Sequence, residues 1–327
     1  MSRKLLTLSL SATLMGGTAH ADTLQVAVDI APVHSLVARV MDGVGMPDLI
    51  IQPGASPHEY SLRPSEAAAL QNSDLVFWIG PDLTPWLTDT IETLAKDASV
   101  TSLLDLDGTV QLDFREGALF EIHDHDDHDD HDDHDEHDDH DDHDDHNDHD
   151  DHDKHDHGDH DPHAWLSPKN AMTWLNVIAG QLSAADPDNA GTYFANAAAG
   201  RTEIERLISE VTATLDPVRG GRFIVFHDAY QYFEMDFNFP ASGAISVSDA
   251  SDPGPARITE IRDRISQQGI DCVLAEPQFN PDLIATVLDG TDSRTGIIDP
   301  LGSDLEPGAS LYRELIRNLS TALASCM

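Results

Sequence analysis

The stretch PSEAAALQNSDLVFWIGP, residues 64–81, shows the pattern that decides the fold of this chain. It predicts a helix over residues 64–72, a polar turn, and an entirely apolar strand over residues 75–79. Strands and helices that alternate at this spacing are typical of a parallel sheet with crossover helices. Strands and helices also alternate on both sides of residues 64–81. The predicted strands lie at 24–28, 48–51 and near Val100, and the predicted helices at 32–41 and 85–96.

A long span without a strand separates this region from a second one. Residues 168–184 and 187–215 are predicted to be helical, and the alternation then resumes. Its predicted strands cover 222–226, 271–275 and 296–298, and its predicted helices cover 255–268, 280–288 and a final segment that reaches Ala324. The chain is therefore predicted to be an α/β protein with a cleft between two parallel-sheet lobes. The N-terminal lobe covers 22–167, the connecting helices 168–215, and the C-terminal lobe 216–327.

The charge of the chain is concentrated in one tract. The 327 residues carry a net charge of −42, and residues 123–161 contribute −21 of it through 21 Asp, Glu136 and Lys154. The same tract holds 14 of the 19 histidines. Because so acidic a chain repels nucleic acids and anionic membranes, neither is expected as a partner.

The first 21 residues are predicted to be a cleaved secretory signal. Two basic residues precede an apolar run over residues 5–15, and AHA at 19–21 gives the small-x-small pattern that signal peptidase prefers. The run is too short to cross the roughly 30 Å hydrocarbon core of a bilayer. In an oxidising compartment, the two cysteines, Cys272 and Cys326, favour a disulfide over two buried thiols.

Three of the histidines outside the tract occupy comparable positions. His58 follows a predicted strand, His163 precedes the long helical span, and His227 directly follows the strand at 222–226. Because strand ends and helix entries hold side chains rigidly beside a crevice, the three imidazoles suit one shared site. Three imidazole nitrogens suit zinc, with a carboxylate or water in the fourth tetrahedral position. The alternative is three unrelated surface or core histidines.

Five short motifs, in one order over nearly all of the chain after the predicted signal, resemble a known family. They are GASPHEYSLRPS at 54–65, PHAWLSP at 162–168, VFHDAY at 225–230, AEPQF at 275–279 and IDPLG at 298–302. In these motifs the chain resembles the zinc-binding periplasmic components of ATP-binding cassette importers, namely the ZnuA-like proteins of the metal-binding cluster A-I family. Five motifs in one order argue against coincidence.

The resemblance implies two α/β lobes joined by a rigid helical segment, with one metal ion in the cleft between them. It implies His58, His163 and His227 as imidazole ligands, and Asp299 or a water molecule as the fourth ligand. It also implies a disulfide between the two cysteines. The expected function is capture of Zn²⁺ in the periplasm and delivery to the permease of an importer, by a monomer that is not an enzyme.

The acidic tract is predicted to recruit or buffer further zinc. From residue 125 to residue 155 a histidine recurs at every third position, mostly as His-Asp-Asp. Such a segment is expected to be disordered without metal, and to hold zinc in changing sets of imidazoles and carboxylates. The alternative is a solvated acidic spacer. The predicted auxiliary ligands are His123, His125, His128, His131, His134, His137, His140, His143, His146, His149, His152, His155, His157 and His160.

Three residues near these motifs have open roles. His34, at the start of a helix, is predicted to be an ordinary surface histidine or part of an auxiliary site with the tract. Glu276, at a strand end, is expected to support a ligand by hydrogen bonding or to be structural, rather than to bind metal. Glu59 is a less favoured candidate for the fourth ligand.

Three other functions are compatible with the sequence. An open fourth position on three histidines also describes catalytic zinc, and Glu59 is the adjacent candidate for the general base of a zinc hydrolase. A second alternative is a manganese- or iron-binding member of the same family, although those harder ions favour carboxylates over the imidazole of His227. The third is a metal-buffering or adhesive surface protein.

Overall fold

The structure is a computed structural model that describes residues 24–115, 120, 160–246, 254–278 and 281–327. The predicted signal and all but the last two residues of the acidic tract lie outside these ranges. The described residues form two four-stranded sheets whose neighbouring strands are all parallel. The strands are β1 (Val26–Val28), β2 (Asp48–Leu49), β3 (Leu75–Trp78) and β4 (Ser99–Ser102), then β5 (Phe223–His227), β6 (Ala244–Ser246), β7 (Cys272–Ala275) and β8 (Arg294–Ile297).

Both sheets have the same topology. The first has the strand order β2-β1-β3-β4 and the second β6-β5-β7-β8. In each sheet the connections from the two central strands lead to opposite edges, which opens a crevice at the carboxyl ends of these strands. Open α/β sheets bind ligands in such a crevice. The two-lobed α/β fold predicted from the sequence is confirmed.

Helices connect the strands and cover the sheets. Most of them have proline in the first turn. Proline has no N–H, and the N–H groups of a first turn have no acceptor inside the helix, so nothing is lost there. They are α1 (Ala31–Val40), α2 (Pro64–Asn72), α3 (Pro85–Leu94), α4 (Pro168–Ala185), α5 (Ala190–Leu215), α6 (Gln231–Phe237), α7 (Pro255–Gln268), α8 (Pro281–Leu288) and α9 (Leu311–Cys326).

The connection between the lobes consists of α4 and α5. The first three residues of the helix predicted at 187–215 form a 3-10 turn, and α5 itself begins at Ala190. Helix α5 packs against α4, against α1 of the first lobe and against α9 of the second. Glu203 on α5 forms ion pairs with Arg39 of α1 at 3.0 Å and with Arg313 of α9 at 3.5 Å. One helix therefore contacts both lobes, as a rigid connection requires.

Two elements between Asp228 and Gly254 were not predicted from the sequence. Helix α6 has seven residues and strand β6 has three. Elements this short contain too little of a helical or strand period to be recognised, and packing against distant parts of the chain stabilises them. Strand β8 also begins at Arg294, two residues before the strand predicted there, because its first residues are polar and exposed.

A disulfide joins Cys272 of β7 to Cys326 of α9, as predicted, with the two Cα atoms 5.7 Å apart. It attaches the C-terminal helix to a central strand of the second sheet. Over the ranges that the structure describes, every helix is too short or too polar to cross a membrane.

The end of the acidic tract is bonded to the chain segment that precedes the tract. The N–H of Asp161 donates to the carbonyl of Leu112 at 2.8 Å. The hydroxyl of Tyr232 donates to the carbonyl of Asp161 at 2.7 Å and accepts from the N–H of Leu112 at 3.0 Å. The N–H of His160 donates to Asp82 at 3.2 Å. The folded chain therefore closes at the base of the tract.

Candidate metal centre

Three imidazoles from separate elements meet at the carboxyl end of β5. His227 is the last residue of β5, and His163 directly precedes the 3-10 turn Ala164–Leu166 that leads into α4. His58 lies on the segment between β2 and α2. The structure therefore brings together the three histidines that the sequence predicted to share a site.

Hydrogen bonds anchor the segment around His58 on both sides. The indole N–H of Trp86 donates to the carbonyl of Pro57 at 2.8 Å. The hydroxyl of Tyr60 donates to the carboxylate of Glu66, at the start of α2, at 2.8 Å. These bonds hold a segment without regular secondary structure in one place, so His58 is positioned although it is only half-buried.

The turn that carries His163 is fixed by a helix cap and by a contact with the other lobe. The hydroxyl of Ser167 accepts from the N–H of Asn170 at 3.1 Å and caps the start of α4. The indole N–H of Trp165 donates to the carbonyl of Pro300 at 2.7 Å. His163 therefore lies on a rigid turn at the junction of the lobes.

The spacing of two of the three imidazoles matches a tetrahedral metal site, and the third lies close to them. One ligand nitrogen from each ring lies within 4.8 Å of the other two. The Nε2 atoms of His163 and His227 are 3.4 Å apart. The ring centroid of His163 lies 5.4 Å from that of His58 and 5.3 Å from that of His227. Two nitrogens bound about 2.05 Å from a zinc ion at the tetrahedral angle are about 3.3 Å apart, so the observed separation fits.

Each of the two buried imidazoles is held by a buried carboxylate. Oδ1 of Asp161 lies 2.7 Å from Nδ1 of His163, and Oε1 of Glu276 lies 2.7 Å from Nδ1 of His227. In a neutral imidazole, a carboxylate that accepts the Nδ1 proton leaves Nε2 unprotonated, which is the form that binds a metal. The two Nε2 atoms are in hydrogen-bond contact at 3.4 Å, and a cation bound between them would require both of them to be unprotonated.

Asp161 is a buried acid beside this cluster. Burial raises its pKa to about 7, while a hydrogen bond from the N–H of His163 and the positive charges of Arg115 and His227 oppose the rise. A cation at the cluster favours the ionised form of Asp161 in the same way. Binding of protons and of metal at this site is therefore coupled.

A second set of buried charges lies next to the cluster. Arg115 pairs with Asp228, the residue after His227, and with Glu234 on α6. Burial raises the pKa of both carboxylates, and Arg115 opposes that rise. The ring of Phe120 lies over the guanidinium, with its centroid 3.5 Å from Cζ of Arg115. Arg115 therefore balances negative charge that would otherwise be unpaired beside His227.

Asp299 and Glu59 do not join the group of ligand atoms found among the described residues. The Asp299 carboxylate accepts hydrogen bonds from the N–H groups of residues 301–303 and from the hydroxyl of Ser303, at 2.6–3.0 Å. Both of its oxygens are thus used within the loop that follows β8. Glu59 is exposed to solvent.

His34 belongs to the core of the first lobe, so its prediction as a surface or auxiliary-site residue is wrong. Its Nε2 lies 2.9 Å from the carbonyl of Pro47, and burial lowers its pKa. The reason is that α1 is buried on nearly all sides, including the position of His34. Glu276 bonds His227 and does not join the group of ligand atoms, which agrees with the expectation for this residue.

Sequence reasoning missed Asp161 and Arg115. Asp161 lies at the end of the acidic tract in the sequence, although its place two residues before His163 is a signal that the sequence does contain. Arg115 has no such signal, because its partners Asp228 and Glu234 are more than 100 positions away.

Two α/β lobes with a cluster of three imidazoles at their junction, two of them buried, define a metal-binding protein of the two-lobed solute-binding class. The chain belongs to the family described as zinc-uptake complex component A periplasmic, whose model matches residues 26–326. This family consists of uptake components, not of enzymes, as the sequence predicted.

Individual relatives are similar over nearly their whole length. The high-affinity zinc uptake system protein ZnuA of Brucella abortus (strain 2308) is 51% identical over 304 residues, which are 92% of this chain and 91% of that protein. The protein of the same name from Paracoccus denitrificans (strain Pd 1222) is 49% identical over 310 residues, 94% and 93% of the two chains. The crystal structure of a 138-173 ZnuA deletion mutant with zinc bound has the same fold, with a TM-score of 0.71 at 21% identity over 93% of this chain and 98% of that chain.

Proposed function

We propose that the protein captures Zn²⁺ in the periplasm and delivers it to the membrane permease of an ATP-binding cassette importer. One observation carries the proposal: the Nε2 atoms of His163 and His227 lie 3.4 Å apart while buried carboxylates hold both Nδ1 atoms. His58 adds a third imidazole within the same 4.8 Å group. The relatives named as high-affinity zinc uptake proteins support the choice of cargo.

The proposed ligands favour zinc over manganese or iron. Zinc binds well to imidazole nitrogens in tetrahedral geometry, whereas manganese and other hard ions prefer carboxylate and water oxygens in larger coordination numbers. The group found in the described residues consists of histidines, and the nearby carboxylates of Asp161 and Glu276 are bonded to those histidines. A manganese- or iron-binding role would need these carboxylates to change partners.

Water is proposed as the fourth ligand. Asp299, the protein ligand expected from the resemblance, would have to give up hydrogen bonds within its own loop to reach an ion. A zinc-bound water also suits a hydrolase, but such an enzyme needs a general base beside the water. Glu59 was the candidate for that base, and its exposed side chain lies outside the cluster.

We propose the same organisation of the chain that the sequence predicted. The signal at 1–21 is removed before Asp22, and the mature protein acts as a monomer. The N-terminal lobe covers 22–167, the connecting helices 168–215 and the C-terminal lobe 216–327. The tract at 123–161 binds additional zinc more weakly than the cluster and supplies or buffers it, and its last residue, Asp161, is bonded to Leu112 of the folded chain.

Zinc titration in competition with a chelator of matched affinity tests this proposal. The full chain is expected to bind one zinc ion tightly and further ions weakly, and a variant that lacks residues 121–159 is expected to keep the tight site. Replacing His58, His163 or His227 with alanine should weaken the tight site by more than about 100-fold, because loss of a ligand costs more than loss of the group that supports it.

Glu59→Ala is the matched control, since Glu59 is adjacent to His58 in the chain but exposed. Its affinity for zinc should equal that of the wild type. Loss of the tight site on removal of the tract, or full affinity in His227→Ala, would contradict the proposal.

A further inference from the structure

A glutamine amide completes each of the two imidazole–carboxylate pairs. Nε2 of Gln278 donates to Oε2 of Glu276 at 2.7 Å. In the amide orientation that satisfies its neighbours, Nε2 of Gln231 donates to Oδ2 of Asp161 at 3.0 Å and to the carbonyl of Asp113 at 3.2 Å. Each carboxylate therefore bonds an imidazole through one oxygen and a glutamine amide through the other.

The two relays, Gln278–Glu276–His227 and Gln231–Asp161–His163, are built from different parts of the fold. The first lies at the ends of the central strands β5 and β7 of the second sheet. The second reaches from the first residue of α6 to the turn that precedes α4. The same three-group arrangement thus occurs twice on separate elements, each time behind an imidazole of the metal cluster.

The second hydrogen bond has a mechanical consequence for the carboxylate. A carboxyl group rotates readily about its terminal torsion. Oδ1 of Asp161 accepts from both Nδ1 and the backbone N–H of His163, but bonds to one oxygen alone leave the plane of the carboxylate free to turn. An amide donor on the other oxygen fixes that plane. A fixed carboxylate keeps the imidazole in one orientation and cannot swing its second oxygen to the metal ion. The direction of Nε2, and with it the geometry presented to the ion, then depends on the amide.

We propose that Gln231 and Gln278 are positioning residues of the metal site, whose amide N–H groups fix the two buried carboxylates and thereby the Nε2 atoms of His163 and His227. This inference rests on the proposed function, because it names residues that set the affinity of the same zinc site. Because each bond goes to a charged acceptor, losing one is expected to weaken zinc binding by about tenfold.

Two substitutions at each glutamine test the role. Gln231→Met and Gln278→Met keep the length of the side chain and remove the donor. Gln231→Glu and Gln278→Glu keep its shape but place one carboxylate against another. We expect the methionine variants to bind zinc about tenfold more weakly, with faster dissociation, and the glutamate variants to bind it more weakly still. Gln267→Met and Gln267→Glu, on the exposed surface of α7, are matched controls and should behave as the wild type.

Imidazole nuclear magnetic resonance separates positioning from a general loss of packing. In the zinc-bound protein, the Nδ1–H signal of His227 should shift in the Gln278 variants, and that of His163 should shift in the Gln231 variants. Each variant is expected to leave the signal of the other relay in place, with an unchanged thermal midpoint of the zinc-free protein. Variants that moved both signals equally would overturn the inference.

Wild-type protein and His227→Ala are measured in the same titration. Absence of tight zinc binding in the wild type would contradict the proposed function itself. Tight binding by the wild type together with unchanged affinity and dissociation rate in both methionine variants would overturn the positioning role alone. Wild-type affinity in both glutamate variants would also overturn it, because these variants lack the amide donor.

Discussion

Nδ1 of His227 lies 2.7 Å from Oε1 of Glu276, although the two residues are 49 positions apart in the chain. They meet because β5 and β7 are neighbouring parallel strands, so that the residues at their carboxyl ends lie side by side. Both side chains are buried. The topology of the second sheet therefore places a carboxylate directly behind a candidate metal ligand.

Glu276→Gln should weaken zinc binding by about 10- to 100-fold, which is the usual cost of losing the group that supports a ligating histidine. The amide retains the shape of the carboxylate but lacks its charge, so it accepts the Nδ1 proton less strongly. Competition titration measures the effect, and Glu260→Gln on the exposed surface of α7 is the matched control. An affinity equal to that of the wild type would show that Glu276 does not act on the ligand.

Asp299→Ala should lower the free energy of unfolding and leave the zinc affinity nearly unchanged. Its carboxylate accepts hydrogen bonds from three N–H groups and one hydroxyl of its own loop. Losing these is expected to cost about 1–3 kcal/mol, measured by urea unfolding of the zinc-free protein. A hundredfold loss of zinc affinity with unchanged stability would instead identify Asp299 as the fourth ligand.

The free energy of unfolding of the zinc-free protein should depend on pH because His34 titrates. Burial lowers the pKa of His34 in the folded state below the ordinary value of 6.5, against opposing effects of the Pro47 carbonyl and the Asp48 charge. The unfolded chain therefore takes up a proton first as pH falls through 6.5, and the stability that neutral His34 contributes at higher pH is lost. Urea unfolding between pH 5 and about 8 measures this loss.

His34→Gln serves as the comparison, because glutamine can still donate to Pro47 but does not titrate. The difference in unfolding free energy between wild type and variant should shift in favour of the variant as pH falls. A difference that stays constant over this pH range would show that His34 does not contribute.

Removal of the disulfide should destabilise the protein without emptying the metal site. The bridge closes a loop with a sequence separation of 54, which corresponds to roughly 4 kcal/mol in the chain-entropy model. Cys272 lies at the opposite end of β7 from Glu276, so zinc affinity should change little in a Cys272→Ala/Cys326→Ala variant. Thermal unfolding of this variant and of reduced wild type should agree, and an unchanged midpoint in both would contradict the expected role of the bridge.

The regular parts of the fold could be predicted from the sequence because their signals are local. The bounds of α2 and α7 are marked by an initial proline and a polar end, and they agree with the predicted bounds. Strands β3 and β7 are short apolar runs between turn residues, which is enough to identify a buried strand. Helix α6 and strand β6 have no comparable pattern within their few residues.

The candidate site was predictable only in part, for a physical reason. Histidines at strand ends and helix entries are visible in the sequence, and so are the family motifs that contain them. The groups that support them depend on contacts across the fold, as with Glu276 behind His227. The burial of His34 could not be read from its own helix, because elements from elsewhere in the chain cover that helix.

The bond between Asp161 and Leu112 bears on how this protein can vary during evolution. Tyr232 bonds both Leu112, before the acidic tract, and Asp161, at its end. Repeats of the tract can therefore be gained or lost without breaking these bonds. Selection can therefore change the length and composition of the tract separately from the histidine cluster.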